Sequence, residues 1–251
     1  DDLMEQVEFF VDSVSSYKAD FVLFPEYFNA PLMAAFNKMG EAQSIRALAQ
    51  YTEKIRDRFR EFAISYNINI ITGSMPLIKD DGALYNVGFL CRRDGSIDMY
   101  EKIHVTPDEK KYWGLSAGNS VQTFDTDCGR IGILICYDVE FPELSRLMAN
   151  KGMQILFVPF MTDTQNAYTR VRVCAQARAI ENECYVAIDF AFPYDGRRAE
   201  ATPNTEMILV ADVDLNQLNE LHTYGSVRNL RDRRNDLYEL RFKGAARQTE
   251  G

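Results

Sequence analysis

The run Arg130-Ile131-Gly132-Ile133-Leu134-Ile135-Cys136-Tyr137-Asp138, followed at once by Val139-Glu140-Phe141-Pro142-Glu143-Leu144, decides how this chain is read. The apolar residues beside Gly129 and Gly132 predict a buried strand, and the segment after Pro142 predicts a helix. A cysteine at so sharp a strand-to-helix junction can expose its sulfur at a sheet edge. The next backbone N–H, that of Tyr137, can then point toward a developing oxyanion. Alone the feature is weak, because free cysteines are among the most buried side chains.

Two other segments change that weighting. In Phe21-Val22-Leu23-Phe24-Pro25-Glu26-Tyr27-Phe28 an apolar strand is stopped by Pro25, and Glu26 stands where it ends. A glutamate is usually a solvated loop carboxylate, but Phe24, Tyr27 and Phe28 surround this one in sequence. Apolar surroundings raise a carboxyl pKa toward the range of a general base. In Met99-Tyr100-Glu101-Lys102-Ile103-His104 the lysine reads either as a surface charge on a strand or as a catalytic cation.

Together these motifs resemble the nitrilase (carbon–nitrogen hydrolase) superfamily: a Glu after an FPE strand, a Lys in an EKxH strand and a Cys in CYDxxFPE. Glu26, Lys102 and Cys136 occupy those positions in order. Ala177-Arg178-Ala179-Ile180-Glu181-Asn182 is similar to the family's RARAIEN helix, and Ala211-Asp212-Val213-Asp214-Leu215 to its late strand. The stretches FPEYFNAPLM and CAQARAIEN resemble most closely a branch often fused to a GNAT-type acetyltransferase. The resemblance implies an α/β fold, a four-layer α-β-β-α sandwich with mixed sheets and outer helices, commonly assembled as a homodimer. It also implies that the family's first strand precedes Asp1, and that the join Ile188-Asp189-Phe190, ahead of Phe192-Pro193-Tyr194-Asp195-Gly196, stands where the family carries a longer loop.

Composition agrees. A chain of 251 residues that is 46% apolar suffices for one α/β domain with a large core, or two small ones. With no linker, repeat or low-complexity run in view, residues 1–251 read as a single carbon–nitrogen hydrolase domain. The net charge of −9 argues against a nucleic-acid footprint or an anionic membrane surface. No apolar run has transmembrane length. Cysteines 91, 128, 136, 174 and 184, odd in number and unpaired in spacing, suit free thiols in a reducing, cytoplasmic compartment.

Periodicity places helices over 3–17, 41–66, 142–151 and 166–182. It places strands over 19–24, 68–73, 154–158 and 184–188, with hairpins at 84–91/96–103 around Arg93-Asp94-Gly95 and at 121–124/130–136 around Cys128-Gly129. Strands alternating with helices indicate mixed sheets with helices outside.

The resemblance then implies a mechanism. Glu26 takes the proton of Cys136, the thiolate attacks an amide, carbamoyl or nitrile carbon, and Lys102 with the Tyr137 N–H holds the oxyanion. A second glutamate orients the lysine. Between Lys102 and Gly118 the carboxylates are Asp108 and Glu109, and Glu109 fits by position. Amide or carbamoyl hydrolysis is expected ahead of nitrile hydrolysis. Amine acyl transfer from the same thioester, or a silent binding subunit, are the alternatives. No cofactor or metal is expected, since neither a zinc spacing nor a phosphate loop is present.

Rival constellations are weaker. Gly114-Leu115-Ser116-Ala117-Gly118 matches the G-x-S-x-G elbow, which needs a strand before it and a helix after it; charged residues precede it and strand-like ones follow, so it reads as a turn. His104, two residues from Lys102, would share its strand face and offer a papain-like base. Arg228–Arg241, the most basic stretch, reads as a packed tail, with an anion contact as the alternative. Tyr27, Phe160, Thr162, Asp163 and Arg170 follow strand ends and are expected to border the substrate pocket. Where the family often has Arg after CYDx this chain has Glu140, and the family's His after the sixth strand is absent, with Tyr168 nearby. An acidic Asp163 or Glu140 there would favour a cationic, amine-bearing substrate.

Overall fold

The computed structural model describes residues 2–188, 193, 205 and 207–244. They divide into two compact units, residues 1–118 with 159–161, and residues 119–158 with 162–251. Each unit is built on its own sheet.

In the first unit the helices are α1 (Asp2–Ser16), α2 (Glu41–Leu48) and α3 (Thr52–Ser65), and the strands are β1 (Phe21–Leu23), β2 (Asn69–Ile71), β3 (Met75–Ile78), β4 (Leu84–Cys91) and β5 (Ile97–Glu101). The helix expected over 41–66 is thus α2 and α3 joined by a 3-10 turn at Ala49–Tyr51. The order is β1-β2-β4-β3, with β5 paired to β4; β1 and β2 run parallel and the other pairs antiparallel. α3 turns Ile55, Phe59 and Phe62 inward, and α1 packs on α3 through Val7, Val11 and Val14. Each such burial contributes about 1.5–3 kcal/mol.

β3 was not anticipated, because Pro76 argues against a strand. It is tolerated at a sheet edge, where its missing N–H is not needed. β2 and β3 pair with the same side of β4, but their register shifts by one residue, from Ile71 opposite Leu90 to Met75 opposite Val87. The extra residue is taken up at Thr72-Gly73-Ser74, as in a β-bulge. There Gly73 has φ +68, and a Cβ on it would lie 1.9 Å from the Pro25 carbonyl oxygen. Only glycine lets the bulge approach the residue before Glu26.

The second unit contains β6 (Thr123–Thr126), β7 (Gly129–Ile133), α4 (Pro142–Ala149), β8 (Ile155–Phe157), α5 (Gln165–Asn182), β9 (Tyr185–Ala187) and α6 (Leu215–Tyr224). Its sheet runs β6-β7-β8-β9: an antiparallel hairpin, then two parallel pairs crossed over by α4 and α5. Ile131, Leu156 and Val186 are buried in it. The late strand expected at 211–215 is not formed. The Asp214 side chain instead accepts the Asn216 N–H at 2.9 Å and caps α6, the ordinary use of an aspartate ahead of a helix. The stretch Arg228–Arg241 is turns and coil. Asn229 Nδ2 donates to the Ile180 carbonyl at 3.0 Å, and Arg233 Nη1 to Asn150 Oδ1 at 2.8 Å.

Among the described residues, no helix is long and apolar enough to cross a membrane. The join expected at Ile188-Asp189-Phe190 and the segment 192–196 lie, but for Ile188 and Pro193, outside the described residues.

Candidate active site

In the first unit three charged side chains meet in a buried cluster. β5 ends at Glu101, but the ladder continues one bond further, the Lys102 N–H donating to the Asn86 carbonyl at 2.9 Å. Lys102 and Asn86 therefore stand opposite one another and their side chains rise together. His104 follows in a half-buried bend, off any strand, so the shared strand face expected for it with Lys102 is absent.

Lys102 Nζ donates to Glu26 Oε1 at 2.8 Å and to Glu109 Oε1 at 2.9 Å. The lysine and Glu26 side chains are each only 2% exposed. Asn86 Nδ2 donates to Glu26 Oε1 at 3.0 Å and to Glu109 Oε1 at 3.4 Å. The Met161 N–H reaches Glu26 Oε2 at 3.1 Å. The carboxylate that sequence placed among aromatic rings is thus contacted by a lysine, an amide and a backbone N–H. Tyr27, at φ +50, turns its ring onto Trp113 and its hydroxyl to Glu109 Oε1 at 3.0 Å. It positions Glu109, and it is buried.

Glu109 opens a single π-helical turn, Glu109–Trp113, and its Oε2 accepts the Thr106 N–H at 2.8 Å. Burial pushes its pKa up. The charge and hydrogen bond of Lys102 and the bonds from Thr106 outweigh this and hold the carboxyl below the usual glutamate value. Glu109 is therefore the fixed anion that anchors the lysine. The serine of the G-x-S-x-G stretch lies in irregular backbone, with neither the strand before it nor the helix after it that the elbow needs: Gly114 closes the π turn at φ +67, Leu115 forms an isolated bridge with Leu84, and the Ser116 N–H donates to Leu84 O at 2.8 Å.

Cys136 belongs to the second unit. It begins a 3-10 turn, Cys136–Glu140, between β7 and α4, and takes φ +47, which non-glycine residues adopt rarely and at a cost. The residue is buried at 7% exposure. Arg178 of α5 grips this turn: Nε donates to Val139 O at 2.9 Å and Nη2 to Glu140 O at 3.3 Å, while Nη1 pairs with Glu181 Oε1 at 2.9 Å. Asn182, one helical turn on, donates to Ser145 Oγ of α4 at 3.1 Å. The RAIEN helix thus supports the cysteine turn, a role the motif alone did not disclose.

Of the remaining pocket candidates, Phe160 and Thr162 are half-buried and Asp163 is exposed. Arg170 Nε donates to Glu140 Oε1 at 2.8 Å and to Oε2 at 2.9 Å. Glu140 is therefore neutralised, which removes one ground for a cationic substrate. Burial pushes the thiols of Cys91 and Cys184 up to about 12.

Comparison with known proteins identifies the family. The carbon–nitrogen hydrolase family model matches residues 1–188, and the chain belongs to that family, within the nitrilase superfamily. It is 41% identical to a probable hydrolase, YhcX, of Bacillus subtilis over 97% of its length. It spans only about half of that relative, 52%. It is 30% identical to the human omega-amidase NIT2, over 93% of this chain and 90% of that protein. A crystal structure of a carbon–nitrogen hydrolase from Helicobacter pylori superposes with a TM-score of 0.80 at 21% identity, covering 94% of this chain and 91% of that one. The fold is the α/β fold of nitrilase-type proteins.

Proposed function

We propose that residues 1–251 act as one hydrolase domain that cleaves a non-peptide C–N bond, amide or carbamoyl, through a thioester on Cys136. The observation that carries this reading is the buried lysine held between two glutamates. Two carboxylates on one ammonium are costly to bury and give little net stability, and perturbed, buried charge clusters concentrate at catalytic sites.

With Glu109 fixed as an anion, Glu26 is the carboxylate left to move protons. It takes the Cys136 thiol proton, and the sulfur attacks the carbonyl carbon of the substrate. Lys102 and the Tyr137 N–H hold the oxygen that gains the charge; one such donor is worth about 10²–10³ in rate. Glu26 returns the proton to the departing ammonia or amine. It then draws a proton from water, which attacks the thioester and releases the acid and the free thiol. Tyr27, Phe160, Thr162, Asp163 and Arg170 border the substrate.

The name of the human relative supports an amide as substrate. The 52% coverage of the Bacillus protein supports membership of the branch fused to an acetyltransferase. A homodimer is supported by the exposed Val173 and Ile180 on α5, and a cytoplasmic setting by five free cysteines.

Incubation with a panel of amides followed by mass spectrometry tests the reading. A mass increase of one acyl group on Cys136, absent in Cys136→Ala, is the expected result. Turnover by a folded Cys136→Ala protein would refute it, and faster product formation on adding an amine would redirect it to acyl transfer.

A further inference from the structure

The two oxygens of Glu26 are held in different ways. Oε1 accepts the Lys102 ammonium at 2.8 Å and the Asn86 amide at 3.0 Å. A carboxylate oxygen has two lone pairs, so these two donors saturate it. Oε2 accepts the Met161 N–H at 3.1 Å. That donor comes from just past the end of β8. The Val158 N–H still donates to the Ala187 carbonyl at 2.9 Å, but Pro159 has no N–H to give, and the chain leaves the sheet as irregular backbone. Pro159–Met161 belongs to the first unit, although the residues on either side of it belong to the second. Met161 is 49% exposed, so its side chain adds little burial there. What the residue brings to the cluster is its peptide N–H.

A hydrogen bond to the ionised form of a carboxyl favours that form, whereas burial opposes it. Glu26 is 3% exposed, and the charged groups held with it act in opposite senses. Lys102, at the end of β5, favours the anion; Glu109, on the π turn, opposes it. The Asn86 amide of β4 bridges the two carboxylates. We propose that Glu26 Oε2 is the oxygen that carries the proton, and that the Met161 N–H is the positioning group that aims it and sets the pH at which it can accept. This rests on the thioester reading of Cys136. The proton passes from Cys136 Sγ to Oε2, leaving the thiolate, and later from Oε2 to the departing nitrogen. Lys102 and Asn86 leave Oε1 no lone pair for it.

The test replaces Met161 by its α-hydroxy acid analogue through nonsense suppression. An ester oxygen then stands where the N–H stood, and the side chain is kept. The readout is the rate of Cys136 alkylation by iodoacetamide from pH 5 to 9, followed by peptide mapping. The wild-type profile should rise in a limb well below the free-thiol value of about 8.5, where Glu26 ionises. In the ester protein the limb should move up by about one to two pH units, the worth of a hydrogen bond to a charged group. At a pH below both limbs this is a loss of about 10- to 100-fold in rate. Lost packing, or a smaller folded fraction, would lower the rate at every pH and leave the limb where it was. A limb that stays in place or moves down in the ester protein would overturn the assignment and leave the Glu26–Cys136 reading intact. A wild-type profile with no limb below the thiol range would overturn both.

Discussion

Asn86 stands opposite Lys102 at the end of the β4–β5 ladder, and the two side chains reach the same pair of carboxylate oxygens, Glu26 Oε1 and Glu109 Oε1. One neutral donor and one cation therefore hold two like charges together. Removing the amide in Asn86→Ala leaves the lysine to do this alone. A hydrogen bond to a charged group is worth about 1.5–3 kcal/mol, so we expect kcat to fall by about 10- to 100-fold. Steady-state kinetics beside a circular dichroism spectrum checks this; a variant with wild-type kcat would show that the amide is a bystander.

Glu109 predicts a pH dependence of stability with a definite sign. Its folded pKa lies below its unfolded one, because Lys102 and Thr106 together overcome the opposing effect of burial. The unfolded chain therefore binds the proton more readily. The stabilisation is fully present above the unfolded value, about 4.3, and is lost as pH falls through the lower folded value. Glu109→Gln cannot titrate. Urea midpoints measured from pH 7 down to 3 should fall less steeply for it than for wild type, and parallel curves would contradict the assignment.

Much of the fold and part of the candidate site were legible in the sequence, and the residues show why. Cys136 and Glu26 stood out because each follows an apolar run, where a polar residue breaks a pattern, while Lys102, preceded by Glu101, gained its weight only from the resemblance to the nitrilase superfamily. Asn86 was within reach: the hairpin expected around Arg93-Asp94-Gly95, with Asp94 at its centre, pairs residue 86 with residue 102. The strand Met75–Ile78 was not legible, since its pairing depends on a bulge at Gly73 and on an edge position that tolerates Pro76. Helix α6 was hidden because residues 211–215 show strand-like alternation, while Asp214 decides the matter by capping. Arg178 was visible as a motif residue, but its grip on Val139 and Glu140 is a tertiary contact that no spacing encodes.

The five thiols should separate by reactivity. Cys91 and Cys184 are held protonated by burial, with pKa values pushed up to about 12. Only the thiolate is nucleophilic. Native protein treated with iodoacetamide at pH 8 should leave both unmodified, and both should label once the chain is unfolded in urea. Label on either in the native protein, found by peptide mapping, would mean the core opens there far more readily than its packing implies.

Gly73 joins the bulge to the Glu26 loop, and its replacement by alanine carries two penalties. The positive φ alone costs a side-chain-bearing residue about 1–2 kcal/mol. The added Cβ would also lie 1.9 Å from Pro25 O and 2.7 Å from Phe24 O, both backbone atoms that cannot swing aside. The same peptide accepts the Tyr100 hydroxyl and faces Gly88, so the bulge is confined from the other side as well. Relief must come from the Pro25 loop, which carries Glu26 away from Lys102. We therefore expect Gly73→Ala to lose more than about 2 kcal/mol of stability, and to lose activity beyond the fraction that is unfolded. Urea denaturation gives the first quantity, and kcat corrected for folded protein gives the second. A variant that unfolds at the wild-type midpoint would mean the bulge and the loop are not in the tight contact described.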